Sequence, residues 1–308
     1  MVDLISAIIG SFGQTQGIPL PWGWETATYY WLASIASFAF VAAFVASLLG
    51  QGERWAVKWS IRLAAPIAIL SLLAEATGLG NLGALFWIFS NMSSYLAIDA
   101  ASALVFILAS LIYAFFPKLH KYVRGALGWI ATAAASIWLI GRTGLLISAS
   151  TRPFLATSSI PALLLISSVM LGTATLALLW SLGAFAGRKD TLDGLIKLNS
   201  LIASSIPVFA FILGFQIVGA LYGGETLTKS ATMLVSGASS LIFWTGVIVS
   251  LIIPGIIYII LYFFKRRMSE KAQYVTFTFA TVFMMVGILI LYGAMFSAGL
   301  RTPLPGEA

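Results

Sequence analysis

Long apolar runs broken by short polar stretches dominate this chain. Runs long enough to cross a hydrocarbon layer of roughly 30 Å, which takes about 20 helical residues, occupy 26–49, 59–79, 93–116, 126–149, 161–186, 199–222, 236–264 and 273–298. A closed barrel would instead need roughly ten-residue segments of alternating polarity, and these runs are longer and continuously apolar. The pattern predicts an all-α integral membrane protein with eight transmembrane helices.

Two four-helix bundles are the natural arrangement for eight such helices. The outward segment STRPFLATSSIP (150–161) joins the halves, so residues 1–157 hold an N-terminal segment with the helix 1–4 bundle, and 158–308 hold the helix 5–8 bundle. No sequence repeat relates them. The opening MVDLISAIIG has an acid, no basic region and no clear cleavage site after it, which favours a short interfacial segment over a cleavable signal.

Pro66, Pro207 and Pro254 fall inside predicted spans and are expected to kink them. Small residues such as those of the IATAAASIW stretch (130–138) suit close helix approach. Trp22, Trp24 and Trp31 near one end of helix 1, and Trp55 and Trp59 near the start of helix 2, are expected as interfacial anchors.

Composition agrees: 60% of the residues are hydrophobic and 9% charged, against about 25% charged in an ordinary soluble domain. The net charge of +7 raises nucleic acid as a partner, but the positions of the cations account for it otherwise. Arg54, Lys58, Arg62, Lys118, Lys121, Arg124, Arg188, Lys189, Lys197, Lys265, Arg266, Arg267 and Lys271 all fall at alternate connections, while the remaining loops and tail hold Arg152, Lys229 and Arg301. By the positive-inside rule the basic connections are cytoplasmic and both termini lie outside, in the cell (cytoplasmic) membrane. One cation is left over, Arg142, in the middle of IWLIGRTGLLISAS (137–150).

The chain has no cysteine and a single histidine, His120, among the lysines of PKLHKY. That excludes thiol chemistry, cysteine-ligated iron–sulfur clusters and haem held between two histidines on facing helices. No haem, iron–sulfur cluster or metal is therefore expected in this chain.

Ionisable groups inside spans are expensive and mark function by default. They are Glu75, Asp99 and Arg142, with Glu25 at the mouth of helix 1. At about 1.5 Å of rise per residue, Glu75 lies roughly 8 Å, Asp99 about 9 Å and Arg142 about 12 Å from the outer ends of their helices. Thr26, Thr28, Tyr29 and Tyr30 of helix 1 lie slightly nearer the surface. One reading is a buried ion pair of Arg142 with Glu75 or Asp99 that only fixes packing. The other is a polar pocket open to the outer leaflet, favoured because the acids outnumber the arginine. At the depth of Glu75 and Asp99, the Arg142 charge is expected to be balanced locally.

Several stretches together resemble one family: PWGWETATYYWLASIASF (21–38), LLAEATGLGN (72–81), SNMSSYLAIDAASAL (90–104), and above all RTGLLISASTRPFLATSSIPALLLISSVMLGTA (142–174). They are similar to the integral membrane subunits of the polysulfide reductase and formate-dependent nitrite reductase type, over nearly the whole chain. The residues carrying the match across helices 4 and 5 are Thr143, Gly144, Leu145, Leu146, Pro153, Phe154, Pro161, Ser167 and Gly172. Two departures stand out. A tyrosine commonly precedes the family's Thr-Gly where this chain has Arg142, and the usual Asp-Leu-Gly-x-Pro ending of helix 2 is replaced by Glu75 and Ala-Thr-Gly-Leu-Gly.

The resemblance implies a quinone-interacting membrane anchor without a redox centre of its own. It would bind a quinone or quinol, menaquinone or similar, near the outer face, beside a ferredoxin-like iron–sulfur subunit that relays electrons to or from a molybdopterin catalytic subunit. A quinone headgroup needs hydrogen-bond donors and groups that exchange two protons. Trp22, Glu25, Thr26, Tyr29, Arg142 and Thr143 are the candidate quinone-binding residues, and Glu75 and Asp99 the candidate proton carriers. The competing readings are a secondary transporter, which would require broken helices and usually inverted repeats, and a purely structural anchor that has lost its quinone site.

Overall fold

The computed structural model describes residues 23–78, 88–149, 152–187, 192–264 and 267–298. All regular structure there is helical: α1 (Trp24–Ala46), α2 (Trp55–Gly78), α3 (Tyr95–Phe115), α4 (Lys121–Ser148), α5 (Ser159–Phe185), α6 (Leu192–Leu221), α7 (Glu225–Val235), α8 (Ser240–Val247), α9 (Ile253–Phe264) and α10 (Glu270–Ala298). Eight of the resulting helical rods are long and apolar enough to cross a membrane, and the protein is a multi-pass membrane protein. The expected interfacial segment before residue 22, and Trp22 itself, lie outside the described residues.

Helix ends follow local chemistry. Ser94 caps α3 by accepting the Ala97 N–H at 3.1 Å, which satisfies one of the donors a helix start leaves orphaned. α1 loosens into a π turn at Ser47–Gln51 and ends where Gly50 takes a positive φ of 81°, a conformation that costs glycine little. Pro254 sets the other irregularity. A proline clashes with the carbonyl four residues earlier and has no N–H to donate, so the rod from Ser240 to Phe264 widens into a π segment over Ile248–Ile252 just before it. Pro66 and Pro207 are absorbed within continuous α2 and α6. The seventh span starts at Ser240 rather than at 236, because residues 236–239 form a turn after the separate short helix α7.

α1 is the hub of the packing. It lies against α2, α4, α5 and α10, while α3 joins α2 to α4 and α10 packs on α5, α8 and α9. Close approach between helices without a hydrophobic drive requires small residues, and α1 crosses α5 where a Cβ on Gly172 would stand 2.3 Å from the Phe38 backbone. Two of the expected anchors serve this packing instead. Trp31 donates its indole N–H to the Met285 carbonyl of α10 at 2.8 Å, and the Trp24 ring fills the space beside Gly293 of α10.

Candidate functional site

Four helices bring polar side chains together at the end of the molecule opposite the basic connections. Tyr29 and Tyr30 lie in the second turn of α1, Glu75 one turn before the end of α2, Asp99 one turn into α3, and Arg142 six residues before the end of α4. At about 1.5 Å per residue, all lie within about 10 Å of their helix ends, so they share one level.

The approach of α3 to α4 makes this possible. A Cβ on Gly141 would sit 2.8 Å from the Asp99 backbone, and one on Gly144 would overlap the Tyr95 ring. Gly141 therefore lets α3 run directly against α4 beside Arg142. Arg142 and Trp138 are four residues apart, hence on one helix face, and both are fully buried.

The Arg142 guanidinium stands over the Trp138 ring, 5.0 Å from its centroid, where the ring's negative face favours a cation. Its remaining contacts are weak: Nη1 donates to the Tyr30 carbonyl and to Ser34 Oγ, each at 3.4 Å. The Tyr30 hydroxyl donates back to the Arg142 carbonyl at 2.8 Å. Nε and Nη2 are buried without a hydrogen-bond partner among the described residues.

The Arg142 charge is not balanced by contact, contrary to the sequence-based expectation: it forms no ion pair with Glu75 or Asp99. The reason is that Asp99, 1% exposed, is engaged elsewhere. Tyr29, fully buried, donates its phenol to Asp99 Oδ2 and accepts the Trp138 indole N–H at 3.0 Å. The arrangement is a chain, Trp138 to Tyr29 to Asp99, running beside the arginine. It ends on Asp99 Oδ1, which is buried and unpartnered among the described residues. Half-buried Glu75 completes the set, within electrostatic reach of both Asp99 and Arg142.

Buried polar atoms are nearly always hydrogen-bonded, and each exception needs an explanation. Here two donors on Arg142 and one acceptor on Asp99 are left over in one cluster. A group carrying both an accepting oxygen and a hydroxyl would satisfy them, and a quinone or quinol headgroup has that chemistry. The residues present fit it.

The other candidates are placed differently. Glu25 is exposed in the first turn of α1, where the helix dipole favours an acid. Thr26 is half-buried beside it. Thr143 is buried, and its hydroxyl donates to the Leu139 and Ile140 carbonyls of its own helix at 3.0 and 2.9 Å. It can offer an incoming group an acceptor but not a free donor.

Residues of the second half also reach the cluster. Ser168 of α5 donates to Ser34 Oγ at 2.9 Å, and Ser167 shares a hydrogen bond with the Tyr292 hydroxyl of α10. Tyr30 packs on Phe296, the rings 5.2 Å apart, and Arg152 donates to the Phe296 carbonyl at 3.3 Å. Trp138 could have been found from its spacing to Arg142. The serines and Tyr292 carry no such signal, because they come from helices distant in sequence.

Outside the cluster, an apolar groove of about 440 Å³ runs between α3 and α4, flanked by Ile98 and Ile137. Ala97, Ala101, Ala133 and Ala134 line it.

The chain matches no curated protein. Its residues 13–300 match the family model described as polysulphide reductase, NrfD, whose members are membrane subunits of redox enzyme complexes, and the chain belongs to that family.

Proposed function

We propose that the protein is the quinol-reacting membrane anchor of a respiratory molybdopterin oxidoreductase, of the sulfur or polysulfide reductase kind. It passes electrons between quinol near the outer face and a ferredoxin-like iron–sulfur subunit, which connects to the molybdopterin catalytic subunit. Family membership supports the setting. The observation that carries the reading is the unsatisfied cluster, with Arg142 Nε and Nη2 and Asp99 Oδ1 buried and unpaired at one level.

In this reading the α1–α4 half forms the site bundle, the α5–α10 half a second bundle, and both termini lie outside. Quinol supplies two electrons and two protons as it is oxidised. Arg142 orients the headgroup by donating to one of its oxygens, its charge kept available because no carboxylate among the described residues neutralises it by contact. Asp99 accepts a proton at Oδ1, while the Tyr29 hydrogen bond fixes the carboxylate through Oδ2. Glu75, nearer the helix end, takes each of the two protons in turn from Asp99 toward the surface. Thr26, with Glu25 nearer the mouth, lies on the side from which the headgroup enters, and Thr143 lines the wall beside Arg142. The groove beside Ile98 and Ile137 accommodates an isoprenoid tail.

A secondary transporter is disfavoured, since the cluster lies near one end of its helices rather than at the midplane where transporter sites form. A structural anchor without a quinone site leaves the unpaired atoms of Arg142 and Asp99 unexplained. Purification of the native complex tests the three readings together. The proposal expects iron–sulfur and molybdopterin absorption and extractable quinone, the last lost in Arg142→Gln. A transporter yields none of these, and a purely structural anchor yields the cofactors without quinone.

A further inference from the structure

At the opposite end of the molecule is a cavity that the redox reading does not use. It measures about 560 Å³ and lies between the π turn after α1, the start of α2 and the junction of α3 with α4. Lys58, Arg62 and Arg124 line it, together with one acid, Glu53. Gly50 and Gly52 form its rim from the turn.

These cations are held in place rather than freely waving. Arg62 lies over the Trp59 ring, 5.6 Å from its centroid, and Arg124 lies over the Tyr113 ring at 4.9 Å. Arg124 Nε is buried and has no hydrogen-bond partner among the described residues. The one acid is already engaged, its carboxylate 2.6 Å from Lys58 Nζ. The Lys58 hydrogen bond and charge, with a smaller contribution from Arg124, hold the Glu53 carboxyl below its usual range. Glu53 thus offsets Lys58 chiefly, and neither arginine forms an ion pair among the described residues. α2 and α4 also begin here, and helix starts carry partial positive charge.

We propose that this cavity binds a phosphate-bearing anionic group, its two free oxygens held by Arg62 and Arg124 and its negative charge matched by the excess of cations. Guanidinium forks fit phosphate geometry. The position on the face with the basic connections, next to the part-exposed Trp59, sets the cavity at headgroup depth. An anionic phospholipid headgroup and free phosphate share this chemistry. The inference is independent of the quinone reading, since no residue is common to the two sites.

Native mass spectrometry of the full chain tests it, after equilibration with nanodiscs of equal phosphatidylglycerol and phosphatidylcholine, and separately with inorganic phosphate. The wild type retains phosphatidylglycerol in preference to phosphatidylcholine. The Arg62→Gln/Arg124→Gln pair lowers that retention about 25-fold, from ~5-fold per cation, while Arg62→Lys/Arg124→Lys keeps most of it and shows that the fold survives. Lys197→Gln/Lys271→Gln removes the same charge from the same face outside the cavity and leaves retention unchanged. Phosphate adducts without lipid preference, lost in the same glutamine pair, identify free phosphate as the occupant. Equal losses from both pairs, or retention unaffected by the cavity pair, overturn the proposal.

Discussion

Arg142 is the residue on which the site turns. Burying a cation within a span costs roughly 3 kcal/mol even by the lower scales, and no carboxylate among the described residues repays that by contact. Part is offset by the Trp138 ring and part by the backbone of α1. The sequence showed the arginine, the two acids and their common depth, because charges in an apolar run are conspicuous. It did not show how they pair, since a rotation of Asp99 toward Tyr29 leaves no trace in residue spacing. Tyr29 is the test of that pairing. Tyr29→Phe removes the donor to Asp99 and the acceptor of the Trp138 indole, leaving both buried groups unpaired. A loss of about 1–3 kcal/mol is expected in thermal or denaturant unfolding, and Phe at no cost would contradict the chain of hydrogen bonds.

At the scale of the element, the site depends on how closely α3 and α4 run. Gly141 faces the Asp99 backbone, which cannot yield without moving the helix, whereas Gly144 faces the Tyr95 ring, which is half-exposed and can swing aside. Gly141→Ala should therefore cost about 1–3 kcal/mol, as overpacking does, and Gly144→Ala distinctly less; melting of the two variants side by side measures the difference. Most helix ends fell within a few residues of the apolar runs, because the hydrocarbon thickness dictates their length, although α6 begins at Leu192 rather than at 199. The π segment before Pro254 and the separate α7 were not, since both depend on local backbone geometry inside or beside an apolar run. The basic residues at the starts of α2 and α4 are a further case. Lys58 and Lys121 stand in first turns, where the helix dipole disfavours cations. Their position answers to the membrane rather than to helix stability.

For the whole molecule, the charge asymmetry predicts the orientation. The chain has no cysteine, so single replacements report sidedness cleanly. Lys118→Cys, in an exposed basic connection, should react with an impermeant maleimide only from the cytoplasmic side, and Ser236→Cys only from the outside; the reverse pattern would invert the assignment. The eight apolar spans were legible, but the joint contribution of early and late helices to one cluster was not. The serines of α5 and Tyr292 of α10 extend the polar cluster of the first half, which no periodicity announces. The central claim is that the unpaired arginine serves quinol chemistry rather than helix packing, and Arg142→Gln in the intact complex tests it most directly. Quinol-driven substrate reduction should fall by about 100-fold or more, the usual effect of losing one preorganised donor, while reduction driven by a soluble artificial donor to the partner subunits stays at the wild-type rate. Unchanged quinol-driven turnover would contradict the claim.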